Sequence, residues 1–97
     1  MAYRANGRAE EAVALLEHVV NIRGTTLAES HPNRLTSEHN LAMAYLANGR
    51  IGKAVALLEH VVNMQKIRLT ENHPDRLASE RMLSRMLDWQ AFESVDN

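Results

Sequence analysis

Ninety-seven residues with 11 Lys+Arg against 12 Asp+Glu carry a formal net charge of −1, so there is no basic field to draw nucleic acid or an anionic membrane. Apolar residues make up 45% but aromatic residues only 4%, enough for one modest core of Leu, Val, Ala and Met, and the lack of cysteine excludes disulfides, thiolate metal sites and cysteine nucleophiles. No apolar run approaches the roughly 20 residues of a membrane span and the opening MAYRANGR has no signal-peptide core, so a soluble, cytoplasmic protein is expected.

The first few residues are too short for a helix of their own, yet AYRANGR at Ala2–Arg8 matches AYLANGR at Ala44–Arg50. The chain therefore reads as starting mid-repeat, with Asn6-Gly7 and Asn48-Gly49 each stopping a helix through a glycine in the left-handed region. A long helix is expected over Ala9–Glu29, its first turn favoured by Glu10 and Glu11 at the positive end of the dipole. At about 100° per residue, Val13, Leu16, Val20 and Leu27 share an arc with Ala12, Leu15, Val19 and Ile22. That arc spans half the circumference, too wide for a two-stranded seam, so the helix needs two or three neighbours.

His31-Pro32 closes this helix, because the residue before proline disfavours the α region and proline suits a first helical turn. A shorter helix follows over Asn33–Ala47 and ends at Asn48-Gly49. The unit then returns. Ala54–Asn63 is identical to Ala12–Asn21, and 25 of the 42 positions from Ala2 to Met43 recur in Ala44 to Arg85. A second long helix is expected over Ile51–Glu71, with a weaker first turn because Gly52 and Lys53 replace the glutamates, and His73-Pro74 closes it. The terminal helix, Asp75–Glu93, meets no Asn-Gly and is expected to be of intermediate length.

Aliphatic composition without strand-like runs, on either side of the Asn-Gly pairs or elsewhere, points to an all-α fold. The histidines at 18, 31, 39, 60 and 73 form no i, i+4 pair and no HExxH, so no metal is expected; His31 and His73 are better read as hydrogen-bonding helix ends. Glu38 and Glu80 fall inside the apolar arcs of their helices, each four residues after an arginine, and Arg34 and Arg76 are expected to pair with them, since a part-buried carboxylate left alone is costly. No Ser/His/Asp order, phosphate loop or supported carboxylate pair can be assembled, so neither an enzyme nor a cofactor is expected. On the terminal helix Leu77, Leu83, Leu87 and Ala91 form the expected inner arc, while Met82, Met86 and Trp89 make a second apolar stripe. With Val13 and Leu16 uncovered at the other end, these residues point to a homo-oligomer.

Leu41-Ala42-x-x-Tyr45, then Gly49, then Ala54, Leu58 and Val61 resembles the tetratricopeptide repeat pattern of small and large residues. The 42-residue spacing and the His-Pro hinge are similar to the long repeats of kinesin light chains. The wording LANGR…AVALLEHVV…HPDRLASE also resembles the C-terminal repeats of fungal NLR-like STAND NTPases. The resemblance implies a superhelical helix-turn-helix stack of about four helices (long, short, long, terminal cap). It forms one domain over residues 1–97, divided into a partial repeat at 1–32, a full repeat at 33–74 and a terminal helix at 75–95.

By the same resemblance the chain binds a protein or peptide segment on a concave face presenting Thr36, His39, Met43 and Leu46, then Ala78, Arg81, Arg85 and Trp89. His39, Met43, Arg81, Arg85 and Trp89 are the candidate ligand contacts, and Arg81 and Arg85, one turn apart, would suit a carboxylate. Of the paired asparagines of kinesin light chains only Asn40 is present. The chain departs from the pattern at Glu38 and Glu80, where a large aromatic is usual. It departs again at Ser84 and Leu87, which replace Ala and Tyr, and in lacking a closing glycine, as a cap would. The alternative reading is a purely structural self-assembling module with no separate peptide ligand.

Overall fold

The computed structural model describes the backbone of residues 2–95 and the side chains of residues 8–93. Among the described residues there are four helices and no strand: α1 (Ala2–Thr26), α2 (Pro32–Ala47), α3 (Ile51–Arg68) and α4 (Pro74–Val95). α2 packs between α1 and α3, and α3 packs in turn on α4, so each helix leans on its neighbours in the chain. The all-α stack of long, short, long and terminal helices is the architecture the repeats imply, except that α4, at 22 residues, outruns the 18 of α3.

That inversion arises because both long helices stop three residues before the expected Glu29 and Glu71. Leu69 leaves the helix with φ −112° and ψ 147°, its N–H still donating to the Gln65 carbonyl at 2.7 Å. A turn then closes as His73 N–H donates to the Thr70 carbonyl at 3.1 Å, and His31 N–H does the same to Ala28 at 2.9 Å. An N–H committed to that turn no longer donates four residues back, to Leu69 or Leu27, as a continued helix would require. Arginine completes the arrangement: Arg34 Nη1 donates to the Gly24 and Leu27 carbonyls at 3.3 Å, and Arg76 Nη1 to Leu69 at 3.2 Å, satisfying helix-end acceptors. The hinge histidines start the next helix as expected. His31 Nδ1 accepts from Asn33 N–H at 3.0 Å and His73 Nδ1 from Asp75 N–H at 3.1 Å, each filling the place of a side-chain N-cap.

The two Asn-Gly pairs behave differently. Gly49 takes φ +77°, with its N–H donating to Leu46 and that of Arg50 donating to Tyr45 at 2.8 Å, which ends α2. At Asn6-Gly7 the helix runs on, because α1 already begins at Ala2. A glycine stop works by folding the chain back onto the carbonyls of a formed and packed turn, as Asn48 and Gly49 do on Ala44, Tyr45 and Leu46. Only four helical residues, 2–5, precede Asn6, and carrying the helix through glycine costs only about 1 kcal/mol.

The core joins Val13 of α1, Leu35, Leu41, Ala42 and Tyr45 of α2, Ala54, Val55, Leu58 and Val61 of α3, and Met86 of α4. This corrects two expected self-association residues. Val13 is 4% exposed and Met86 fully buried, so neither can meet a partner. Val13 turns toward α2, and Met86 replaces the smaller Ala44 one repeat on and reaches into the core. Leu16 and Met82 are half-buried against the same core, which leaves Trp89 as the exposed member of the α4 stripe. The expected inner arc of α4 is corrected too. Leu87 and Ala91 are exposed, whereas Leu83 packs half-buried on the core as expected and Ser79 and Met86 are buried.

Candidate interaction surfaces

A groove of about 420 Å³ opens between α2, the end of α3 and the start of α4. Leu35, Leu69 and Ala78 supply apolar lining, and His39, Gln65 and Arg68 supply polar groups. Gln65 is buried, yet its Oε1 has no hydrogen-bond partner. Leaving a buried acceptor unmade costs roughly 1–3 kcal/mol, so a donor brought to this atom would be favoured. Burial lowers the His39 pKa below its ordinary 6.5, so at neutral pH the ring is an uncharged donor and acceptor. Arg68 stands exposed at the rim.

The contrast between repeats explains why the amide is unsatisfied. In the first copy its position is Arg23, whose Nη1 reaches the Asn33 carbonyl at 2.8 Å and Ser37 Oγ at 2.5 Å. Gln65 is shorter and makes neither bond to the matching Asp75 and Ser79, though Ser79 is buried beside it at 2% exposure. Of the expected concave residues, Thr36, His39 and Ala78 line this groove. Met43 and Leu46 instead pack half-buried on the core, and Arg81, Arg85 and Trp89 lie exposed farther along α4, outside the groove. Gln65 and Arg68 were not expected because they come from the long helix. Their signal was the departure from Arg23 and Thr26 at the matching positions of an otherwise repeated segment.

The arginine–glutamate pairs are formed. Arg34 Nε is 3.3 Å from Glu38 Oε2 and Arg76 Nε is 3.1 Å from Glu80 Oε2. The Glu38 side chain is 5% exposed and that of Glu80 32%, so burial of the carboxylate is complete only where a further helix covers it. Glu38 Oε1 also faces His60 Nε2 of α3 at 3.7 Å, and Glu29 Oε2 lies 3.8 Å from the same nitrogen. Two turns farther along the same face of α2, Tyr45 Oη donates to Glu17 Oε2 at 2.5 Å. Burial, and then that carboxylate, push the phenol up to about 12. Among the described residues no group of three or more His, Asp or Glu side chains could hold a metal ion, and no helix is long and apolar enough to cross a membrane.

The repeated joints, the His-Pro hinges and the alternating helices agree with the family match: the model of the Tetratricopeptide repeat covers residues 1–67. The chain belongs to that family. Tetratricopeptide repeats are scaffolds for protein–protein interaction and are typically non-enzymatic, and this chain is a scaffold of that general kind. It is similar to a crystal structure of nearly identical, kinesin-light-chain-like TPR-like repeats from Podosopora anserina, at 49% identity and a TM-score of 0.82. A variant of that repeat protein matches at 48% identity and a TM-score of 0.83. Each alignment covers 98% of this chain and 44% of the other, so the chain spans less than half the length of these tetratricopeptide-like relatives. No curated protein matches it.

Proposed function

We propose that this chain holds an extended segment of a partner protein in the groove between α2 and α4, and that it works in the cytoplasm. The observation that carries the reading is the buried, unpaired Gln65 Oε1, placed beside a neutral His39 and an exposed Arg68 over an apolar lining. A peptide backbone N–H supplies the donor that the amide lacks. A carboxylate on the segment or at its C-terminus suits Arg68, the part first assigned to Arg81 and Arg85. Selection of a random-peptide library on the whole chain tests it. Selected peptides should lose about tenfold in affinity on Gln65→Leu, equivalent to about 1.4 kcal/mol for one buried hydrogen bond. Peptides that bind wild type and Gln65→Leu alike would place the binding surface elsewhere.

Self-association is a second reading, favoured by the large apolar residues left exposed at the two ends of the stack. Leu15 is 65% and Ile22 49% exposed on α1, and Leu87 is 41%, Trp89 47% and Phe92 71% exposed on α4. A soluble domain that leaves such residues grouped on one helix has a surface fit for a partner.

A further inference from the structure

Each joint of the stack has a counterpart 42 residues along, and the pair α3–α4 is the counterpart of α1–α2. Burial that α3 has and α1 lacks therefore comes from α2. Burial that α2 has and α4 lacks comes, in the same way, from α3. On α3 this isolates Ala54, Leu58 and Val61, all at 0% exposure, whose counterparts are the exposed Ala12 and the half-buried Leu16 and Val19. On α2 it isolates Leu41 at 4%, Ala42 at 0% and Tyr45 at 9%, whose counterparts are the half-buried Leu83, the exposed Ser84 and Leu87 at 41%. These are the two faces that meet at the α2–α3 joint. Each recurs, half-buried or exposed, at an opposite end of the molecule.

The charges agree. Across the α2–α3 joint His60 Nε2 stands 3.7 Å from Glu38 Oε1, and their counterparts are His18 on α1 and Glu80 on α4. The α1 surface thus carries the imidazole and the α4 surface the carboxylate of a pair that the molecule already makes once internally.

We propose that copies of this chain stack head to tail, α1 of one copy seated on α4 of the next as α3 sits on α2, with His18 of one facing Glu80 of the other. The proposal rests on the self-association reading and adds which faces meet. The contact joins two different surfaces and repeats the stacking of the internal joint, so it extends the stack and the assembly grows with concentration. The joint is weaker than its internal template. Lys53 Nζ lies 5.5 Å from the centre of the Tyr45 ring, and the counterparts Glu11 and Leu87 cannot make that contact.

Two small exposed residues allow a direct test, because Ala12 and Ser84 correspond to Ala54 and Ala42, both at 0% exposure in the internal joint. Ala12→Glu and Ser84→Glu leave the single molecule helical by circular dichroism but block one face each. In sedimentation of the whole chain up to on the order of 100 μM, wild type should show a mass that rises without plateau, and each variant alone should stay monomeric. An equal mixture should stop at a dimer, since Ala12→Glu keeps an intact α4 and Ser84→Glu an intact α1. As a readout free of steric block, His18→Glu should weaken wild-type association several-fold and Glu80→Lys in the same chain should restore it. A variant that associates like wild type would overturn the head-to-tail geometry while leaving self-association standing. A wild type that remains monomeric throughout would overturn both.

Discussion

Ala12–Asn21 in α1 and Ala54–Asn63 in α3 are the same ten residues in the same conformation, and they do not have the same surroundings. The valines at 13 and 55 are both buried, at 4% and 6%, because each faces the short helix that follows it. Leu58 and Val61 are sealed at 0%, whereas Leu16 and Val19 remain half-open, because only α3 also has a short helix before it among the described residues. Burial in a stacked array is a property of the joint, and the residues supply only the capacity for it.

The sharpest way to break this comparison is to delete the same side chain twice. Leu58→Ala should cost about 3 kcal/mol in urea unfolding, within the range for cavities in sealed cores, and Leu16→Ala less than half as much. Equal losses would mean that the two helices are equally enclosed. The carboxylates extend the contrast to the short helices. Glu38→Ala should cost about 2 kcal/mol, since it strips the buried partner of Arg34 and His60, while Glu80→Ala, in a third-exposed pair, should fall below about 1 kcal/mol by the same measurement. The smallest effect is one of sign. Gly49→Ala forces a Cβ into φ +77° and should destabilise by about 1 kcal/mol, whereas Gly7→Ala lies within a helix and should raise stability by about 0.5 kcal/mol. Losses at both sites, seen as lowered melting temperatures, would mean that Asn6-Gly7 turns after all.

Much of the fold was legible because its punctuation is local. His-Pro and Asn-Gly act through backbone geometry that one or two residues dictate, and the 3.6-residue periodicity of the apolar arcs gave the stacking. What escaped depended on partners. The stop at Gly7 failed because glycine ends a helix only against a formed turn. The early exits at Leu27 and Leu69 escaped because leucine carries no turn signal; the cue lay seven residues on, in Arg34 and Arg76. Leu83 packs half-buried on the core as expected, but Leu87 was misassigned because it looks more apolar than the buried Ser79, yet its counterpart Tyr45 on α2 is covered by a helix that α4 lacks among the described residues. At the groove His39 was readable from the family pattern. Gln65 was not, since its importance lies in a bond that Arg23 makes and it does not.

Arg34 and Arg76 each tie the backbone where one long helix ends to a carboxylate one turn along the next helix, so a branched planar cation joins the packed core in holding the tilt between successive helices. Any tilt so fixed is multiplied by the number of units joined. In a longer coil built from this module, a small change of angle at each such joint would be read out as a change in pitch and radius over the entire spiral.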